Sequence, residues 1–126
     1  MYTKILAAVN EHLNSEISAR YALSLARACE AKLYICFIAE KGMHRLSLDR
    51  AEEAMKRLFN EAMNMNMQVE SITETGEPLK EIDKVVRHEK IDLVFASTRR
   101  EDIEKRFYAG TMARSLSLHL PCSVAL

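Results

Sequence analysis

Three cysteines, Cys29, Cys36 and Cys122, form an odd set with no C-x-x-C spacing. That excludes a full disulfide framework and gives no zinc signature. Free buried thiols in a reducing compartment are the reading that remains. Charge of one sign is also missing. Lys plus Arg is 18 and Asp plus Glu is 18, a formal net charge of zero. Proteins of nucleic acids and membrane surfaces usually carry a basic excess, because phosphate neutralisation dominates that binding. Neither partner is expected. No apolar run approaches the ~18–20 residues of a membrane span. Ile5 to Val9, behind Lys4, is too short for a signal-peptide core. A cytoplasmic protein is expected.

Catalytic and metal spacings are absent too. There is no H-E-x-x-H, no G-x-S-x-G and no G-x-x-x-x-G-K-[S/T]. His12, His44, His88 and His119 are scattered along the chain. His12 follows the first expected strand and reads as an exposed loop residue. Cys122 follows Pro121 with no histidine base placed beside it. Asp92 opens an apolar strand, where a carboxylate caps or pairs. The chain is expected not to be an enzyme, to hold no metal and to require no cofactor.

What is present is alternation of two patterns. At 126 residues, 48% hydrophobic and 29% charged, the chain has the size and composition of one globular domain, residues 1–126. Ile5 to Val9, Leu33 to Ala39 and Ile91 to Ala96 are short apolar runs, the mark of strands buried on both faces. Met67 to Glu74 alternates and reads as an edge strand. Cys122 to Leu126 reads as a short last one. Between them lie four helical patterns. The first runs from about Glu16 to Ala31, capped by Ser15, with Ile17, Tyr21, Leu25 and Ala28 at helical spacing. The second follows an Asp49–Glu52 capping pair and carries Ala51, Ala54, Met55, Leu58 and Ala62. The third opens at Pro78, with His88 and Lys90 in its last turn. The fourth starts at Thr111 and carries Met112, Leu116 and Leu120. Met63 to Met67 reads as a helix end passing into a strand.

The order β-α-β-α-β-α-β-α-β implies an α/β fold, a single doubly wound sandwich with a mostly parallel sheet and four main helices. Ligands of such sheets bind beyond the strand carboxyl ends, here near Asn10, Ala39 and Ser97.

Several segments, in order and over nearly the full length, resemble the universal stress protein family. They are Lys4 to Asn10, Ser15 to Leu23, Gly76-Glu77-Pro78 with Ile82, Asp92-Leu93-Val94, Gly110-Thr111, and His119 to Val124. The resemblance implies a five-stranded sheet in order 3-2-1-4-5 and a stress-responsive regulatory or interaction protein. Its ATP-binding members carry G-x2-G-x9-G-[S/T], whose glycines let backbone N–H groups approach phosphate. Here those positions hold Ser97, Arg100, Gly110 and Thr111, so two of three glycines are replaced. Asn10 stands where the family usually has Asp. The implied nucleotide contacts are Ala8, Val9, Asn10, Ile38, Ser97, Arg100, Gly110 and Thr111. Two readings follow. In one, ATP binding is weak or lost. In the other, ATP or another adenine nucleotide is held by Arg99 or Arg100 side chains, making a switch or weak ATP hydrolase. A homodimer is expected through Cys122, Val124, Ala125 and Leu126, an apolar edge without Lys or a central Pro, as in the resembled family. A further protein partner is implied but not its identity.

Overall fold

The computed structural model describes residues 1–97 and 120–125. The elements are β1 (Lys4–Ala8), α1 (Leu13–Cys29), β2 (Lys32–Ala39), α2 (Arg45–Asn64), β3 (Val69–Thr75), α3 (Pro78–Glu89), β4 (Leu93–Phe95) and β5 (Ser123–Ala125). The strands form one sheet in the order β3-β2-β1-β4-β5, every pair parallel. This is the fold expected from the sequence. The fourth helix, at Thr111, Met112 and Leu116, falls outside the described residues, as do Arg100, Gly110 and Leu126; Leu120 is buried.

The apolar runs are continuous because both faces of the central strands are covered. Ile5, Ala7, Leu33, Ile35 and Phe37 point to one face, where they pack with Ala22, Ala26, Met55 and Leu58 of α1 and α2. Leu6, Tyr34, Cys36 and Ile38 point to the other, against Ile82, Val85 and Val86 of α3. Side chains alternate along a strand, so a residue on either face is buried and no polar position is left.

Helix boundaries differ from the expected ones in informative ways. α1 begins at Leu13 with His12 as its cap residue, not at Ser15. It ends at Glu30, in the left-handed conformation (φ 55°), so Ala31 lies outside it. Its inward face is Ser15, Glu16, Ala19, Ala22, Leu23 and Ala26. The Ile17–Tyr21 stripe points outward instead, with exposures of 45% and 68%. Small alanines let the helix axis approach the sheet, which the bulkier stripe would prevent. α2 begins four residues before Asp49, where His44 Nδ1 accepts the Leu46 N–H at 3.2 Å. Asp49 pairs with Arg45 at 3.4 Å rather than capping. Met63 to Met67 does pass from helix to strand, turning at Asn66 (φ 56°), which delays β3 to Val69. Pro78 opens α3 as expected, but Lys90 is its left-handed cap residue (φ 58°). Gly76 (φ 152°) precedes it, and a Cβ there would meet the Glu81 side chain at 2.9 Å.

Asp92 caps and pairs, as its place before β4 suggests. Its carboxylate accepts the Thr3 N–H at 2.8 Å, the Thr3 hydroxyl at 3.0 Å and the Lys4 N–H at 3.1 Å. Lys4 Nζ meanwhile donates to the Glu89 carbonyl at 2.8 Å, at the C-terminal end of α3. These contacts lock the start of β1 to the start of β4. Asp92→Ala removes three charge-assisted bonds and is expected to cost about 2–3 kcal/mol. Urea unfolding should show a lower midpoint at unchanged slope.

Candidate functional site

The carboxyl end of β1 is shaped by a tight polar turn. Val9 extends the ladder, its N–H donating to the Cys36 carbonyl at 2.8 Å. Asn10 then breaks it. Its Oδ1 accepts the His12 N–H at 2.8 Å, a side-chain turn of the kind asparagine favours. Ser15, one turn into α1, reaches back: its Oγ accepts the Asn10 N–H at 2.9 Å and donates to the His12 carbonyl at 2.9 Å. Ser15 therefore anchors the helix entry from inside the first turn.

β1 and β4 pair with Ala7 opposite Phe95, so Asn10 and Ser97 leave neighbouring strands at the same sheet end. The chain goes from β1 to β2 on one side and from β4 to β5 on the other, which makes this the topological switch point. The Ser97 hydroxyl is buried and has no hydrogen-bond partner among the described residues. Such an orphan costs about 1–3 kcal/mol unless something meets it. Ala8 and Ile38 lie on the α3 face of the sheet and Val9 on the α1–α2 face. Thus five expected positions, Ala8, Val9, Asn10, Ile38 and Ser97, gather at the strand ends. Cys122 and Val124 lie before and within β5, while Ala125 stands opposite Phe95 and its carbonyl accepts the Ala96 N–H at 2.9 Å, next to Ser97.

One feature at this end was missed from the sequence. A cleft of about 180 Å³ opens between the start of α1 and the first half of α2, lined by Asn10, His12, Leu13, Glu16, Arg50 and Arg57 among others. Its wall is a charge network. Arg57 grips the buried Glu16 carboxylate with Nε at 3.0 Å and Nη2 at 2.7 Å. Arg20 bonds the same carboxylate at 3.0 Å and also pairs with Glu61. The signal was present as two i,i+4 pairs of opposite order, Glu16–Arg20 and Arg57–Glu61. Two helices running in the same direction bring each acid to the other helix's base.

Chemically the described residues of this end offer hydrogen bonding and charge, and the cysteines of the sheet are held as thiols. Burial pushes the Cys36 thiol up to about 12. Burial and the nearby Asp92 raise Cys122. Among the described residues no cluster of three His, Cys, Asp or Glu could hold a metal ion, and no helix is long and apolar enough to cross a membrane.

The sequence profile of the universal stress protein family matches residues 1–126. The chain belongs to the universal stress protein family. A Staphylococcus aureus (strain USA300) protein named for the family is 28% identical over 136 aligned positions, covering 98% of this chain and 82% of that one. Among solved structures, a universal stress protein in complex with cAMP superposes with a TM-score of 0.76 at 16% identity, covering 98% of this chain and 94% of that one. The universal stress protein from Archaeoglobus fulgidus in complex with dAMP gives 0.72 at 18% identity, covering 98% and 95%. In this universal stress protein fold the strand ends carrying Asn10 and Ser97 are the candidate ligand site by their place at the topological switch point.

Arg57 holds the Glu16 carboxyl below its ordinary value near 4.5, against the opposing effect of burial. A lowered carboxylate contributes stability above the unfolded value and loses it as pH falls through the folded one. The stability gap between the unmodified chain and Glu16→Gln should be full above pH 4.5 and should close on further acidification. Urea titrations at stepped pH check this.

Proposed function

We propose that this chain is a regulatory or interaction member of its family, one domain acting in the cytoplasm without catalytic turnover, in which adenine nucleotide binds weakly or not at all. The observation that carries this is the state of Asn10. The residue at the mouth of the switch point is neutral, and its carboxamide oxygen is already engaged by the His12 N–H. The sequence adds Ser97 and Arg100 in place of two glycines, which removes the close backbone approach to phosphate. A second reading is an adenine-nucleotide switch. The buried Ser97 hydroxyl, without a partner among the described residues, favours it, and the ligands named for the two solved relatives give the ligand class. In the sequence, Gly110 and Thr111 keep the last glycine and the hydroxyl of the family's phosphate motif.

Mass spectrometry of the purified protein and a calorimetric ATP titration separate the two. The expected result is no retained nucleotide and a dissociation constant above ~100 μM, a binding energy smaller than ~5.5 kcal/mol. Ser97→Gly combined with Arg100→Gly should tighten binding. Micromolar affinity in the unmodified chain would overturn the first reading in favour of the second.

We further propose a homodimer through β5 and its sequence neighbours Cys122 and Leu126. Ser123 donates to the Asp92 carbonyl and the Ala125 carbonyl accepts the Ala96 N–H. Backbone groups alternate sides along a parallel strand, so Val124 turns its N–H and C=O away from β4. β5 holds neither Lys nor a central Pro. Light scattering should give the dimer mass for the unmodified chain and for Val124→Ile, and the monomer mass for Val124→Pro, which lacks that N–H.

A further inference from the structure

Among the described residues nothing pairs with the opposite edge of the sheet, β3, and its chemistry differs from that of β5. The Leu33 N–H donates to the Gln68 carbonyl at 2.9 Å, and the Gly76 N–H donates to the Ala39 carbonyl at 3.0 Å. By the same alternation, the even-numbered residues from Gln68 to Gly76 face β2. Val69, Ser71, Thr73 and Thr75 therefore turn their N–H and C=O groups outward. Ser71, Thr73 and Thr75 are exposed. The 7-residue strand offers an unpaired backbone row about 23 Å long. It carries neither the Lys nor the Pro that commonly blunts an edge.

Its side chains select what could pair there. From Asn66 to Leu79 the chain holds Glu70, Glu74 and Glu77 and no Lys or Arg. Glu70 is 44% exposed while paired with Lys32 at 3.2 Å, and Glu74 and Glu77 are exposed. A second copy in the full-length antiparallel register would set Glu70 against Glu74 twice. Like charges directly opposite destabilise a ladder, so this edge disfavours itself. On the α3 face, Ile72 lies between the two acids and packs on the core. On the other face, Thr73 Oγ1 lies 3.9 Å from Met55 Sδ. Phe59 and Met63 continue that flank of α2 at i+4 spacing, away from α1, and Met63 is 52% exposed.

We propose that β3 is the docking edge for an extended basic segment of a partner protein, which adds a strand beside it. The pattern that fits is basic–x–apolar–x–basic. The two cations face Glu70 and Glu74, the apolar residue covers Ile72, and the intervening side chains lie toward Phe59 and Met63. Backbone pairing supplies the attachment, and the acids supply the selection.

The test uses the whole isotopically labelled chain and three peptides. The probe is acetyl-Thr-Lys-Thr-Val-Thr-Lys-Thr-amide. One control replaces every Thr by Pro, which keeps the charge but cannot form a ladder. The other replaces both Lys by Glu. The probe should shift the amide resonances of Val69, Ser71, Thr73 and Thr75 and bind at least about tenfold more tightly than either control. Glu74→Lys should weaken it by about tenfold or more. Ser71→Pro removes one outward N–H without touching the β2 ladder and should abolish it. If circular dichroism shows that Ser71→Pro does not fold, Glu74→Lys and the proline control decide. Equal binding of the two basic peptides, shifts confined to another surface, or indifference to Glu74→Lys would overturn the proposal. So would light scattering in which Ser71→Pro splits a dimer, because the occupant would then be a second copy.

Discussion

Everything in this molecule is hung on β1. Ile5, Leu6 and Ala7 have no exposed surface, and the strand is hydrogen-bonded to β2 on one side and β4 on the other. The Asp92 carboxylate holds its start and the Asn10 turn shapes its end. A shift of one residue would exchange Leu6 with its neighbours between two differently packed faces. It would also carry Asn10 away from Ser15. The clamp at the bottom therefore sets the geometry of the opening at the top.

The two helical layers meet the sheet by different means. α3 presents Ile82, Val85 and Val86 to its face. α1 presents alanines and approaches closely, which brings Glu16 down beside α2 and adds an ion network to the apolar core the two helices share. Burying one carboxylate there is tolerable because two guanidiniums satisfy it. With the alanines inward, Leu13, Ile17 and Tyr21 lie on the outside.

Parallel sheets leave an edge at each end, and here the ends are chemically distinct. β5 is short and uncharged; β3 is longer and lined by carboxylates. Backbone groups alone cannot tell one partner from another, so selection at an edge falls to the side chains that flank it.

The five strands, their order of appearance and the three described helices were legible in the sequence because double-sided burial writes continuous apolar runs for β1, β2 and β4, a half-exposed edge writes alternation for β3, and helices write a 3.6-residue period. Pro78 marked its helix start, and Asp92 its pairing role, by local chemistry alone. Of the candidate site, the strand-end positions were legible from the α/β order, since ligands gather where strands end. The inward face of α1 was not, because Ile17 and Tyr21 carry more apolar surface than Ala19, Ala22 and Ala26, and only close packing on a sheet favours the smaller set. The start of α2 depended on His44, a residue type without a strong capping preference, and the start of α1 on the Asn10 turn and Ser15, with no cap bond from the His12 side chain. The Glu16–Arg57 grip joins residues 41 positions apart, and the cleft it walls exists only once two helices lie side by side. Periodicity and turn chemistry belong to the sequence by itself. Which face packs, which charges meet and which backbone groups stay open were decided by the tertiary structure, because each depends on a neighbour that local sequence does not name.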